Sequence, residues 1–116
     1  MATVSSFYSN SNKAVANQVI VKFTDGDNDI EQFFSYETLI AEVVYSRGKR
    51  DTYLSETYYD YSNTTMKYLG QFLNVDTGIK QIRENIRLGM YVTVSSERDT
   101  DRLIVCETAQ NHKVAA

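Results

Sequence analysis

The chain of 116 residues contains no proline and no tryptophan, and it has one cysteine, one histidine and five glycines. Cys106 alone cannot close a disulfide within the chain, so a reducing cytosol is the expected compartment. His112 stands in a C-terminal segment that is predicted to be frayed, so the sequence offers no fixed histidine for a catalytic triad or dyad. The glycines are scattered singly and form no phosphate-binding loop. We therefore predict no catalytic residue and no cofactor.

Long apolar runs and a strong charge imbalance are also missing. No stretch reaches the length that a membrane span requires, and residues 1–12 are rich in Ser and Asn, unlike a signal peptide. A cytoplasmic protein without membrane contacts is therefore expected. Twelve basic and fifteen acidic side chains give a formal charge of −3. This balance disfavours nonspecific nucleic-acid binding, which needs a basic surplus, and it is too small for an acidic mimic of DNA.

An acidic segment superficially resembles a calcium loop, with Asp25, Asp27 and Asp29 in alternation. An EF-hand loop that began at Asp25 would need Gly at its sixth position and Glu at its twelfth. Those positions hold Ile30 and Tyr36. The Asp-Gly-Asp-Asn composition instead favours a hairpin turn, and no metal site is predicted.

The hydrophobic pattern predicts one α+β domain over residues 1–116, with flexible ends at 1–16 and 109–116. Alternating apolar residues predict strands over 18–24, 30–35 and 38–45, and one or two short strands within 51–61. Because the connections are short, these strands should form an antiparallel meander. Residues 91–95 and 102–108 are predicted to form a C-terminal β-hairpin.

Between residues 62 and 88 the apolar period changes from 2 to 3.6, which predicts two consecutive helices. Ser62 is the expected N-cap of the first helix, and Asp76 or Thr77 that of the second. Gly89 is expected to end the second helix in a left-handed conformation. Both helices should pack on one face of the sheet, so that the other face stays partly open.

Nine tyrosines are the main excess in the composition. Tyrosine packs well on strands, which is its ordinary use, and it also suits binding surfaces because its large face loses little side-chain entropy. The candidate protein-binding surface is the open sheet face, with the tyrosines Tyr45, Tyr53, Tyr58 and Tyr59.

The two helices also suggest an alternative, a helix-turn-helix at residues 62–88. Its second helix carries Lys80, Arg83 and Arg87, and the hairpin that follows could act as a wing. A DNA-binding regulator of this kind would lose affinity steeply with salt and on Arg83→Ala or Arg87→Ala. The apolar residues Ile79 and Ile82 do not match a standard recognition helix, so an ordinary helical hairpin is favoured.

Two segments in the middle third of the chain resemble small uncharacterised proteins that tailed bacteriophages encode. Residues 34–41, FSYETLIA, resemble their SYxTxIA strand, and residues 61–73, YSNTTMKYLGQFL, resemble their YSxTTxxHxxxFL helix start. Tyr68 stands where that pattern commonly has His, so any chemical role of the His is lost or changed here. The resemblance implies a phage protein and carries no established activity.

The residues of this motif favour a structural role. Hydroxyl side chains can bond to nearby backbone and fix how the first helix leaves the sheet. The motif residues with this expected role are Ser35, Tyr36, Thr38, Ser62, Thr64 and Thr65.

The leading hypothesis is a non-enzymatic phage accessory protein in the host cytoplasm that binds a host or phage protein. Inhibition of a bacterial defence system, such as a CRISPR nuclease, is one expected form of this activity. The alternatives are the DNA-binding regulator, a homo-oligomer that binds a small ligand, and a virion protein. Partner identity and oligomeric state do not follow from the sequence.

Overall fold

A computed structural model describes residues 2–8 and 13–104 of the protein. Cys106, His112 and the predicted flexible end at 109–116 lie outside the described residues. The architecture is α+β, as predicted, with a six-stranded mixed sheet and two helices. The elements in chain order are β1 (Thr3–Tyr8), β2 (Ala14–Asp25), β3 (Asn28–Ser35), β4 (Thr38–Ser46), β5 (Lys49–Ser55), α1 (Asn63–Leu73), α2 (Ile79–Arg87) and β6 (Tyr91–Val94).

Strands β1 to β5 form an antiparallel meander in which each strand pairs with the next along the chain. The register leaves only two residues in the turns between β2 and β3, β3 and β4, and β4 and β5. Such short connections permit only antiparallel pairing, which confirms the predicted meander. Residues 3–8, expected within a polar lead-in, form β1, and Phe7 is buried against Phe33 and Tyr68.

The predicted C-terminal hairpin is wrong. Strand β6 pairs with β5, and the pairing is parallel. The connection from β5 to β6 passes through two helices, and a connection of this length permits the parallel pairing that a short hairpin turn would forbid. The residues expected to pair with β6 do not extend it, since the backbone at Leu103 and Ile104 is helical. Residues 105–108 of that expected strand lie outside the described residues.

Both helices pack on one side of the sheet, which we call the helix face. Apolar side chains of α1 and α2, including Leu69, Leu73 and Ile82, contact inward-facing strand residues such as Phe33 and Leu54 in one buried cluster. Gly78 is the N-cap of α2, with a φ of 61°, in place of the expected Asp76 or Thr77. Gly89, with a φ of 78°, follows α2 as predicted. In the described part of the chain, neither helix is long and apolar enough to cross a membrane.

The opposite side of the sheet, expected to be partly open, is covered at its centre by residues 101–104, which we call the strap. Leu103 of the strap is fully buried in a second apolar cluster with the sheet residues Ile30, Val44, Tyr53 and Val94. Each of these sheet residues is at least nine-tenths buried. The sheet is therefore sandwiched between two helices and a short C-terminal segment.

The strap is held by Glu42, a carboxylate in the middle of β4 that is 0% exposed. Its oxygens accept hydrogen bonds from the Gln32 amide at 2.8 Å, the Arg102 Nε at 3.1 Å, and the backbone N–H groups of Leu103 at 3.3 Å and Ile104 at 3.0 Å. A buried carboxylate is stable only when its lone pairs are satisfied by donors and its charge is paired. The strap supplies three of the four donors, so its position is fixed by that requirement.

Replacing Glu42 by Gln should therefore destabilise the protein strongly. The neutral amide weakens the contact with Arg102, which keeps Asp25 as its other partner, and its NH₂ group faces a hydrogen-bond donor in place of an acceptor. Buried groups left without a partner in this way cost about 1–3 kcal/mol. Urea unfolding followed by circular dichroism measures the loss. The matched control is Glu31→Gln, because Glu31 pairs with Lys22 at 3.1 Å on a more exposed part of the sheet. That exposed pair is worth less than about 1 kcal/mol. Equal losses in the two variants would contradict the anchoring role of Glu42.

Candidate functional site

The structure does not bring the four predicted tyrosines together on one face. Tyr53 is directly opposite Glu42 in the β4–β5 register and is buried under the strap. Tyr45 is three residues beyond Glu42 on β4, so it points to the helix face. Tyr58 and Tyr59 follow β5 and pack, half-buried, against the cluster of the helix face. A single tyrosine-covered sheet surface is therefore not formed.

Tyr45 is fixed by its neighbours at the end of the sheet. Its hydroxyl donates to the Glu31 carboxylate at 2.9 Å, and the Arg50 guanidinium lies 6.0 Å from the centre of its ring. Partial burial raises the pKa of the Tyr45 phenol, and the hydrogen bond and negative charge of Glu31 act in the same direction. The Tyr45 hydroxyl therefore already has a hydrogen-bond partner on the neighbouring strand β3.

The basic residues of α2 are also engaged with carboxylates. Arg83 lies 3.7 Å from Asp60, and Arg87 forms a two-point contact with Glu84 one turn earlier on the same helix. Lys80 is exposed near the start of α2. Within the described residues no wing hairpin forms, because β6 pairs with β5 in the main sheet. Lys80, Arg83 and Arg87 thus do not form the unopposed basic surface that phosphate contacts require.

The turn between β3 and β4 has an unusual backbone. Ser35 pairs with Thr38, which leaves only Tyr36 and Glu37 in the turn. Both have positive φ, 51° for Tyr36 and 68° for Glu37. This is the type I′ hairpin turn, which needs positive φ at both central positions and favours Asn-Gly for this reason. A bulky residue in this region is strained, and the Tyr36 side chain is nevertheless 53% exposed.

Three hydroxyl groups of the motif connect this turn to helix α1. The hydroxyls of Ser35 and Thr65 are 2.8 Å apart in the protein interior. Ser62 is the N-cap of α1, as predicted, because its side chain accepts the backbone N–H of Thr65 at 3.1 Å. The Ser62 hydroxyl also donates to the Thr65 hydroxyl at 3.0 Å. The end of β3 and the start of α1 are thereby fixed relative to each other, whereas Thr64 is exposed.

Around this connection lies a cavity of about 120 Å³, which we call the turn pocket. It is lined by Ser35, Tyr36, Thr38, Ile40, Tyr58, Tyr61 and Arg98. The Tyr58 and Tyr61 rings lie edge to face at 6.4 Å, and Tyr61 is 62% exposed. The pocket brings together residues of segment 34–41 and Tyr61 at the start of segment 61–73, which β5 separates in the sequence.

Larger hollows occur elsewhere, but their chemistry is less specific. One of about 390 Å³ lies over Lys22, Glu31 and Tyr45, whose polar groups already bind each other. Another of about 530 Å³ surrounds the turn between α1 and α2. The described residues include no cluster of three His, Cys, Asp or Glu side chains that could hold a metal ion. The turn pocket is therefore the candidate site.

Of the tyrosines predicted to bind, only Tyr58 lines the turn pocket. The sequence predicts only a structural role for Tyr36, and it does not mark Tyr61 or Arg98 as contact residues. The predicted strand ends already place Tyr36 and Glu37 in a turn, since strands that end at 35 and start at 38 leave two residues between them. A two-residue turn of type I′ needs positive φ at both positions, so a Tyr-Glu pair is unusual there. Arg98 had no comparable signal, because only the fold brings it to the pocket.

The double variant Tyr36→Asn/Glu37→Gly should be more stable than the natural chain. Left-handed backbone costs an ordinary residue about 1–2 kcal/mol, and Asn-Gly is the preferred pair for this turn. We expect a gain of about 1–2 kcal/mol in the free energy of unfolding, measured by urea titration. The control Tyr61→Ala removes an exposed tyrosine of the same pocket from unstrained backbone and should change stability by less than about 0.5 kcal/mol. A loss of stability in the double variant would show that the Tyr36 ring stabilises the fold.

One protein-family model matches residues 2–87, and it describes a family of unknown function, DUF8033. The match includes the antiparallel meander, both helices and all turn-pocket residues except Arg98. No curated protein and no solved structure matches the chain.

Proposed function

The chain belongs to the DUF8033 family, and we propose that it is a non-enzymatic accessory protein of a tailed bacteriophage that binds a protein partner through the turn pocket. The phage origin is supported by the resemblance of residues 34–41 and 61–73 to small phage proteins. The binding role is supported by the meeting of those two segments at one exposed aromatic pocket. The proposed partner is a host or phage protein in the infected cell.

The strained turn is the observation that carries this proposal. Tyr36 has a φ of 51°, where a bulky side chain is disfavoured, and its ring is more than half exposed. Folding alone would favour Asn or Gly at this position. The strained backbone of Tyr36 does not bury its side chain, so burial does not account for the strain. Strained residues of this kind cluster at functional sites, which favours a role of the Tyr36 side chain in binding. Contact with a partner is such a role.

The composition of the pocket suits a protein contact. Tyrosine and arginine are over-represented among residues that contribute most of the binding energy at interfaces. Tyr36 and Tyr61 offer exposed rings, and the semi-buried Tyr58 supports the Tyr61 ring from the side. Rigid aromatic side chains lose little entropy on binding, which favours affinity from a small surface.

A protein of this size can act by occupying a site on a larger protein. Binding in a substrate channel, or across an assembly surface, blocks an enzyme without any chemistry by the small protein. Inhibition of a bacterial defence enzyme, such as a CRISPR nuclease, is the form of this activity that we propose for a phage accessory protein. The Arg83–Asp60 and Arg87–Glu84 pairs make the competing DNA-binding role less favourable, because those cations are already neutralised.

Affinity capture from phage-infected cells tests the proposal with two matched tyrosine variants. Tyr61→Ala removes a pocket tyrosine that is 62% exposed, and Tyr8→Ala removes one on β1 that is 64% exposed. We expect one stoichiometric protein partner with the natural chain and with Tyr8→Ala. Tyr61→Ala should weaken binding by at least about tenfold, as expected for a residue worth over 1.4 kcal/mol.

The more stable variant Tyr36→Asn/Glu37→Gly adds a control for misfolding. It should also lose the partner, and a loss of binding together with a gain in stability cannot come from unfolding. Capture of DNA instead of protein, or equal capture by all variants, would overturn the proposed role of the turn pocket.

A further inference from the structure

Among the described residues, Arg98 is one of three arginines that form no ion pair, together with Arg47 and Arg50 in and beside the turn between β4 and β5. Arg83, Arg87 and Arg102 each form an ion pair with an acidic side chain. Within residues 2–8 and 13–104, Arg98 forms no ion pair, although the whole chain has a net charge of −3. Arg98 is exposed and lines the turn pocket, where it is the one charged residue of the lining.

The rest of the lining is dominated by hydroxyl groups. The Ser35 hydroxyl is already engaged with Thr65. In the part of the chain that the structure describes, the phenols of Tyr36, Tyr58 and Tyr61 form no hydrogen bond with another protein group. A phenol can donate a hydrogen bond to an anion, and a guanidinium can donate two in parallel. The pocket therefore combines one positive charge with several unused donors.

We infer that the turn pocket accepts a carboxylate, the side chain of an Asp or Glu residue of the protein partner, on the guanidinium of Arg98 beside the tyrosine phenols. This inference rests on the proposed function, since it names the group that the partner inserts. Planar guanidinium groups match carboxylates in a two-point contact. A cationic side chain of the partner could also stack on the aromatic rings of this pocket. Because the positive charge of Arg98 repels such a cation, the pocket favours an anionic side chain.

The size of the pocket agrees with a small anionic group. A volume of about 120 Å³ corresponds to roughly four water molecules in the liquid. This is enough for a carboxylate and the methylene that carries it. The exposed rings of Tyr36 and Tyr61 would then contact the partner surface around the inserted side chain.

The test is an NMR titration of the isotope-labelled full chain with blocked amino acids, which requires no knowledge of the partner. The probe is N-acetylglutamate N-methylamide, whose only charge is the side-chain carboxylate, and the matched probe is the corresponding glutamine derivative. We expect the glutamate probe at millimolar concentration to shift the Arg98 Nε–H resonance and the ring resonances of Tyr61. The glutamine probe should bind at least tenfold more weakly. Equal shifts with both probes would overturn the inference.

Two variants with the same net charge provide the control. Arg98→Gln should abolish the response to the glutamate probe, whereas Arg47→Gln, in the exposed turn between β4 and β5, should leave it unchanged. A response that survives in Arg98→Gln would contradict the assignment. Inorganic phosphate is titrated in parallel, and shifts with phosphate but not with the glutamate probe would assign the pocket to phosphate instead of carboxylate.

The outcome separates this inference from the proposed function. If the glutamate probe does not bind but Tyr61→Ala still loses the protein partner, the pocket is a contact surface and the carboxylate assignment is wrong. If the probe binds at Arg98 but Tyr61→Ala captures the partner normally, the anion site exists and the proposed contact surface is wrong.

Discussion

The hydrogen bonds to the buried Glu42 carboxylate determine the arrangement of one whole side of the protein. A charged group with no exposed surface must be paired and fully hydrogen-bonded, or it destabilises the fold by several kcal/mol. Gln32 supplies one donor from the neighbouring strand, and the strap supplies the others through Arg102 and two backbone N–H groups. Gln32 also donates to the Asp101 carbonyl at 2.7 Å, so the same amide contacts the carboxylate and the strap. Leu103 is thereby placed over the apolar side chains of the sheet.

The strap covers the centre of one face of the sheet and the two helices pack on the other, while the edge strands β1 and β6 keep exposed residues such as Val4 and Val92. Two of the tyrosines predicted for an open face are engaged elsewhere: Tyr53 is beneath the strap and Tyr45 is bound to Glu31. The turn between β3 and β4 projects from the covered sheet, next to the start of α1. The turn pocket lies at this end of the sheet, outside the part that the strap covers.

The sequence predicted those parts of the fold that depend on nearby residues. The meander follows from strand periods and two-residue turns, the start of α1 from the Ser62 cap, and the end of α2 from Gly89. The features that could not be predicted depend on distant residues. Glu42 and Arg102 are 60 residues apart, and nothing local marks a glutamate within an apolar strand as the anchor of a C-terminal segment.

The direction of β6 could be predicted only in part from the sequence. Its apolar residues predict a strand, and the pattern before it predicts two helices. A connection through helices permits a strand to return parallel to the one it left, so the parallel pairing with β5 was accessible in principle. The next apolar segment, which includes Leu103 and Ile104, resembles a strand in composition. From the sequence alone it therefore predicts a hairpin with β6 in place of the parallel pairing. That segment is apolar because it is buried beside Glu42, and burial alone does not distinguish a strand from a helical turn.

Strain at Tyr36 is acceptable only because other interactions hold the turn in place. The Ser35–Thr65 hydroxyl bond fixes the end of β3, and the Tyr36 N–H donates to the Asn17 carbonyl of β2 at 2.8 Å. Asn17 itself has a φ of 66°, so the neighbouring strand also adapts its backbone to this contact. Contacts from two sides fix the backbone that carries the Tyr36 ring. Under the proposed binding role, a backbone that is already fixed reduces the entropy lost on binding.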